Sequence, residues 1–336
     1  MITLKNNQLT FSFPEVHAEA VFSLEFERTL RIPDDNRAHF LPPGLGSFPL
    51  AHVDDHAARL PEHWQTHGGV FLPMYQAEAL WINFTGHGGY PFAVKIAAGK
   101  IDAVTGDPWS PQLSDEPQNY VVIPEQPWLD GFCVGQGMIR QFVAMPLGAG
   151  FTAEEQLTGA AEHGGLQIIA YPMKAEVYEA MRKARAEEVL FGPDFAMCCE
   201  APCPCPPPKE MGLAPGGLMR QSIYDDPYDL DAWDLQHASR CFVHILNSVQ
   251  YAAATGHNPP TRPPSAADYT RAGLPWFDYY SAESAALDGS AKLAGLDSVA
   301  AKIIKQGLPP LPENEPVTPK VVIAIGTGGL VREAEF

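Results

Sequence analysis

Apolar and polar residues alternate through much of the first half of the chain. Residues 9–13 and 20–29 carry the pattern, and within 69–85 Leu80, Ile82 and Phe84 interleave with Trp81, Asn83 and Thr85. Phe92, Val94 and Ile96 repeat it, with Lys95 on the opposite face. A period of two turns one side of an extended chain towards a core, so each stretch predicts a strand. Residues 120–123, 138–145 and 166–172 predict three more. Turn-forming runs separate them: PPGLG at 42–46, GHGG at 86–89 and TGDP at 105–108. Short strands punctuated in this way favour a sandwich or barrel over residues 1–175.

The period changes near Lys174. In KAEVYEAMRKARAEEVLF (174–191), Val177, Met181 and Ala184 share one helical face, and Gly192 and Pro193 end the run. The stretch MCCEAPCPCPPPKEM (197–211) follows, a Cys/Pro-rich loop. Beyond it the pattern predicts more helix. Residues 231–255 are the longest candidate, with Ala238, Cys241, Phe242, Ile245 and Val249 as the apolar stripe. His237 and His244 fall at its edge beside Trp233, which suits packed rather than catalytic rings. Residues 266–272 predict a shorter helix capped by Ser265 and ended by Gly273. LPPLPENEPVTP (308–319) reads as extended, and VVIAIG (321–326) as a final strand. The expected fold is therefore β-rich α+β. A mixed helical part, 176–336, packs on the strands as one compact unit.

Two short patterns recur. GMIRQ at 137–141 echoes GLMRQ at 217–221, and PWLD at 127–130 echoes PWFD at 275–278. Their order is not preserved, which favours reused packing elements over a tandem duplication.

Composition narrows the function classes. The 33 prolines and 29 glycines favour short strands and turns, and 46% apolar residues suffice for a core. Net charge is −18, which repels phosphate backbones and argues against nucleic acid as a partner. MITLKNNQLTFSFPE lacks the apolar run of a secretory signal, and no apolar stretch approaches the roughly 20 residues a membrane helix needs. A soluble, cytoplasmic protein with no membrane partner is expected. A small-molecule ligand is left open.

The stretches YVVIPEQPWLDGFCVGQGMIRQFVAMPLGAGFTAEEQLTGAAEHGGLQI (120–168), GLPWFDYY (273–280) and PMYQAEALWINF (73–84) resemble a group of large bacterial and fungal proteins. Those relatives are often labelled "integral membrane protein". The resemblance covers roughly residues 30 to 300. It implies no activity and no residue roles, and the cysteine cluster is not part of it.

Candidate chemistry falls in several places. Cys198, Cys199, Cys203 and Cys205 could supply four thiolates to one zinc, or a soft copper site with Met197 and Met211, because thiolates are polarisable and already charged. A disulfide (Cys199–Cys203 or Cys198–Cys205) and a plain linker are the alternatives. HVDDHAARLPEHWQTH (52–67) spaces His52 from His56 and His63 from His67 by four, one helical turn, among Asp54, Asp55 and Glu62. Each pair could chelate a metal ion, although Pro61 divides the stretch. EEQLTGAAEHGG (154–165) carries Glu162 and His163 beside a strand, where a carboxylate and an imidazole could exchange protons. Glu154 and Glu155 read as the first turn of a short helix capped by Thr152. With Asp130 and Arg140, Glu162 and His163 are the catalytic candidates, because they sit on loops and strand ends. IGTGG (325–329) leaves too little chain for a dinucleotide-binding unit.

Three readings follow. The first is a non-catalytic binding or assembly protein, expected as a homo-oligomer, with Trp109, Trp128, Trp276, Tyr279 and Tyr280 as contact surface. The second is a metal-dependent hydrolase using histidine and carboxylate ligands. The third is a thiol protein of metal handling or redox sensing. Zinc or copper is the candidate cofactor.

Overall fold

A computed structural model describes residues 1–186, 210–280 and 285–326. Most strands join one large, mainly antiparallel sheet. Across it run Ile2–Lys5, Gln8–Ser12, Val21–Thr29, Ala79–Gly86, Met138–Pro146, Glu210–Arg220, Ser239–Asn247, Leu166–Pro172, Phe92–Ala98 and Val121–Ile123. Val70–Met74 lies parallel on Ser239–Asn247. Trp276–Tyr280 and Val322–Gly326 form a separate parallel pair. No sheet is closed. What stands of the expected sandwich or barrel is the coarser statement, a β-rich protein built on one large sheet.

The alternating stripes become the core. Phe22, Leu24 and Phe26 on one strand and Leu80, Ile82 and Phe84 on its neighbour are buried, and Phe22 stacks on Phe11 at 4.9 Å between ring centroids. Phe22 also lies 4.6 Å from Phe92, whose strand sits near the far end of the sheet order. The two flanks thus share one aromatic core. Each such ring withdraws on the order of 150–250 Å² from water, which makes these stripes the main stabilising element.

The expected helix over 231–255 is not formed. Leu230–Ala232 is a single 3-10 turn, Ser239–Asn247 is a central strand, and only Ser248–Thr255 is helical, capped by the Asn247 side chain on Val249 N–H. The run CFVHIL is apolar enough to fit either period, and burial by strands on both sides decided for the extended form. Val249, assigned to the buried helical stripe, is 40% exposed. His244 is buried against Trp64 rather than placed beside Trp233, while exposed His237 binds Asp234. The segment beyond 210 therefore gives the sheet two long strands instead of a mainly helical layer.

Other local expectations hold. Thr152 and Glu155 close a reciprocal capping box on Ala153–Thr158. Ser265 caps Ala266–Arg271 through Asp268 N–H. Ala175–Ala186 begins the helix expected from 174. The two recurring pentapeptides lie side by side: Met138, Ile139 and Arg140 pair with Arg220, Met219 and Leu218 across adjacent antiparallel strands.

Candidate functional site

The sequence candidates are spread over several places. Cys198, Cys199, Cys203 and Cys205 lie outside the described residues. His52 is exposed at the end of Ala51–His52, and His56 packs edge-on to Phe71 from the 3-10 turn Asp54–Arg59. His63 and His67 share the short helix Glu62–His67. Among the described residues no three His, Cys, Asp or Glu side chains are grouped to hold a metal ion. Asp130 is buried, its carboxyl pushed up to about 7 by desolvation, and it accepts a hydrogen bond from Gln221 Nε2 at 2.9 Å. Arg140 has other partners: Nη1 reaches the Gly216 carbonyl at 3.2 Å and Asp34 at 3.7 Å.

Glu162 and His163 do meet, on an open surface. Glu162 binds Lys100 Nζ at 2.9 Å, which holds its carboxyl below the usual range, and His163 Nε2 lies 3.7 Å from the same oxygen. Partial burial, then Lys100, lowers the His163 imidazole. Its ring faces His67 edge-on at 5.9 Å, and His63 bonds Glu210 at 2.9 Å. His244 is driven down to about 4 by burial. Beneath them Glu154 is pushed up to about 7 by desolvation. This face is rich in titratable groups, yet its leading pair is open to solvent: Glu162 is 61% exposed and Lys100 46%.

A cavity does form elsewhere. A cleft of about 220 Å³ is lined by Arg31, the turn Tyr75–Glu78, the segment Arg262–Ser265 and the pair Pro312–Glu313. Its foundation is visible in the strand periodicity. Arg28 continues the buried stripe of Phe22, Leu24 and Phe26, and Glu78 precedes Leu80, Ile82 and Phe84 on theirs. A charge at a core-facing position demands a partner. The two stripes supply each other's: Arg28 Nε and Nη2 donate to Glu78 Oε1 at 3.1 and 2.9 Å, diagonally across the register that sets Arg28 opposite Leu80. Arg28 also donates to the Thr261 carbonyl, which anchors the proline-rich wall 258–264. Tyr75 N–H donates to Glu78 Oε2, and the turn carries Ala77 at a left-handed φ of 67°. That conformation costs an L-residue about 1–2 kcal/mol, held here by strands on both sides.

Arg31 sits just beyond the end of its strand, and both recurring pentapeptides position it. Buried Gln141 of GMIRQ clamps its flanks, accepting from Ile32 N–H at 3.0 Å and donating to the Leu30 carbonyl at 2.9 Å. Gly217 of GLMRQ lets the segment lie close, since a Cβ there would come within 2.4 Å of the Pro33 carbonyl oxygen. Arg31 is 4% exposed. Nη2 donates to Asn314 Oδ1 at 2.8 Å, but Nε and Nη1 have no partner. Burial lowers the guanidinium to about 10, opposed by Glu313 and Asp34, so it remains charged at neutral pH. Arg28, Arg140 and Arg262 each have a carboxylate within 4 Å: Glu78, Asp34 and Glu313. Among the described residues, Arg31 alone of these four has none. Its hydrogen bond goes to a neutral amide.

Comparison with known families, curated proteins and solved structures finds no match to this chain. No helix among the described residues is long and apolar enough to cross a membrane. Function must therefore be argued from the site. Sequence reasoning missed Arg31, Glu78, Arg262 and Glu313. The available signal was parity: Arg28 and Glu78 stand where alternation requires an apolar residue. Arg262 and Glu313 gave none, because both lie in proline-rich loops.

Proposed function

We propose that this chain is a binding protein for a small anionic ligand, anchored by Arg31 in the cleft. The supporting observation is the buried guanidinium of Arg31, which lines the cleft and whose Nε and Nη1 have no hydrogen-bond partner. Leaving a buried charged donor unpaired costs on the order of 1–3 kcal/mol or more, and a carboxylate or phosphate oxygen accepting from one of these nitrogens would offset part of that cost. The cleft is smaller than the roughly 300–1,000 Å³ typical of drug-sized ligands, so the occupant is small. Its walls, Pro263, Pro264 and Pro312, have fixed φ angles and little freedom to lose on binding.

The test is calorimetric titration of wild type and Arg31→Gln with inorganic phosphate and succinate. Wild type is expected to bind at least one of the two, and Arg31→Gln at least tenfold more weakly. The variant should melt no lower than wild type, since an unpaired charge has been removed. Equal affinity of the two proteins, or no binding of either anion by wild type, overturns the reading.

A further inference from the structure

Val322–Gly326 is an edge strand. It pairs in parallel with Trp276–Tyr280, and that inner strand is bridged on to Leu41 through Phe277. Among the described residues no further strand joins the pair. Successive side chains of a strand point to opposite faces, yet Val322, Ile323 and Ile325 are 39%, 45% and 46% exposed, so neither face is packed. Folded proteins usually blunt such an edge with a charge, a proline or a bulge. VIAIG contains neither charge nor proline; Pro319 and Lys320 stand just before the strand, where they bound it.

The chemistry of the edge selects its partner. It offers backbone donors and acceptors and aliphatic side chains, with no charge to recognise a charged peptide. A second copy presents the same uncharged edge. A chain of net charge −18 approaches itself at least cost where the contact brings no like charges together. We infer that two copies of this chain join edge to edge along Val322–Gly326, antiparallel and centred on Ala324. That register sets Val322 opposite the partner's Gly326 and Ile323 opposite the partner's Ile325, so two β-branched pairs form on one face. Phe277 and Tyr279, in register with Ile323 and Ile325 on the inner strand, extend this apolar face. Asp278, the charged residue of the inner strand, lies 3.6 Å from Arg220 Nη1 and brings no uncompensated charge. The contact is its own complement, so it closes as a two-fold dimer and does not propagate. Strands of five residues bury less than the roughly 800 Å² per partner of a standard interface, so the dimer is concentration-dependent.

The experiment is sedimentation equilibrium of the full-length protein between about 1 and 300 µM, beside a variant carrying Ile323→Lys and Ile325→Lys. Hydrogen exchange of the 322–326 amides is followed at both ends of that range. Both isoleucines are nearly half exposed, so the variant should melt within a few degrees of wild type. Lysine also lowers the net charge, so weaker association cannot be assigned to added repulsion. Wild type should pass from monomer to dimer, with the 322–326 amides slowed at high concentration. The variant should associate at least tenfold more weakly. A dimer of equal strength in the variant places the contact elsewhere and overturns the inference. So does a wild-type monomer throughout the range; concentration-independent protection of the amides would then show that the chain covers its own edge. Assemblies growing beyond the dimer contradict the closed two-fold contact.

Discussion

Two buried charged side chains show how differently a fold can treat the same difficulty. Arg28 is neutralised by Glu78 on the adjacent strand, whereas Arg31, three residues on, keeps two donors unsatisfied. Structural ion pairs are completed within the chain. A side chain held charged, clamped on both flanks by Gln141 and left incomplete points to something from outside. Asp130 illustrates a third solution, in which a fully buried carboxyl is kept protonated. Its folded-state value of about 7 stands above the unfolded value near 3.9. The native state therefore holds a proton that the unfolded chain releases between about pH 4 and 7, so this group lowers stability as pH rises through that window. Asp130→Asn, which has no proton to lose, should flatten that part of the profile. The variant is expected to match wild type near pH 4 and exceed it by about 1–3 kcal/mol at pH 8, measured by denaturant unfolding. Equal pH slopes would place the Asp130 proton elsewhere.

At the level of strands and helices, long alternating stretches were readable because one buried face imposes a period of two. Residues 20–29, 92–98 and 166–172 needed no tertiary information. The segment 239–247 did. CFVHIL satisfies strand and helix periods equally, and the choice was made by the partners Leu166–Pro172 and Val70–Met74, which are remote in sequence. Close backbone approach shows how tightly this strand is held. Gly165 has φ 75°, and a Cβ there would stand 2.2 Å from the Val243 carbonyl oxygen. Gly165→Ala is expected to destabilise the fold by about 2–4 kcal/mol in chemical denaturation, through left-handed strain plus displacement of the central strand. A loss below about 0.5 kcal/mol would mean that the strand tolerates movement, and that its register is less fixed than described.

Seen whole, the cleft belongs to no single stretch of the chain. Residues near 31, 77, 263 and 313 meet only after the sheet has formed, which is why the sequence disclosed its foundation and not the site. The prolines that suggested linkers and turns became its walls. The histidine–glutamate face was easier to find in the sequence, because its residues are close neighbours along the chain, but its Glu162–Lys100 pair is open to solvent. A molecule of net charge −18 offers few favourable places for an anion, so a buried guanidinium with no carboxylate within 4 Å among the described residues stands out against its surroundings. The most direct measurement is NMR of the Arg31 side chain, following its 15N–1H Nε signal during titration with phosphate and succinate. A ligand seated on the Arg31 guanidinium should shift this signal downfield in a saturable way and slow its exchange with solvent, and the signal should be missing from Arg31→Gln. If the Arg31 Nε signal stays in place while ligand binding saturates by calorimetry, the ligand sits elsewhere and the cleft is not the binding site.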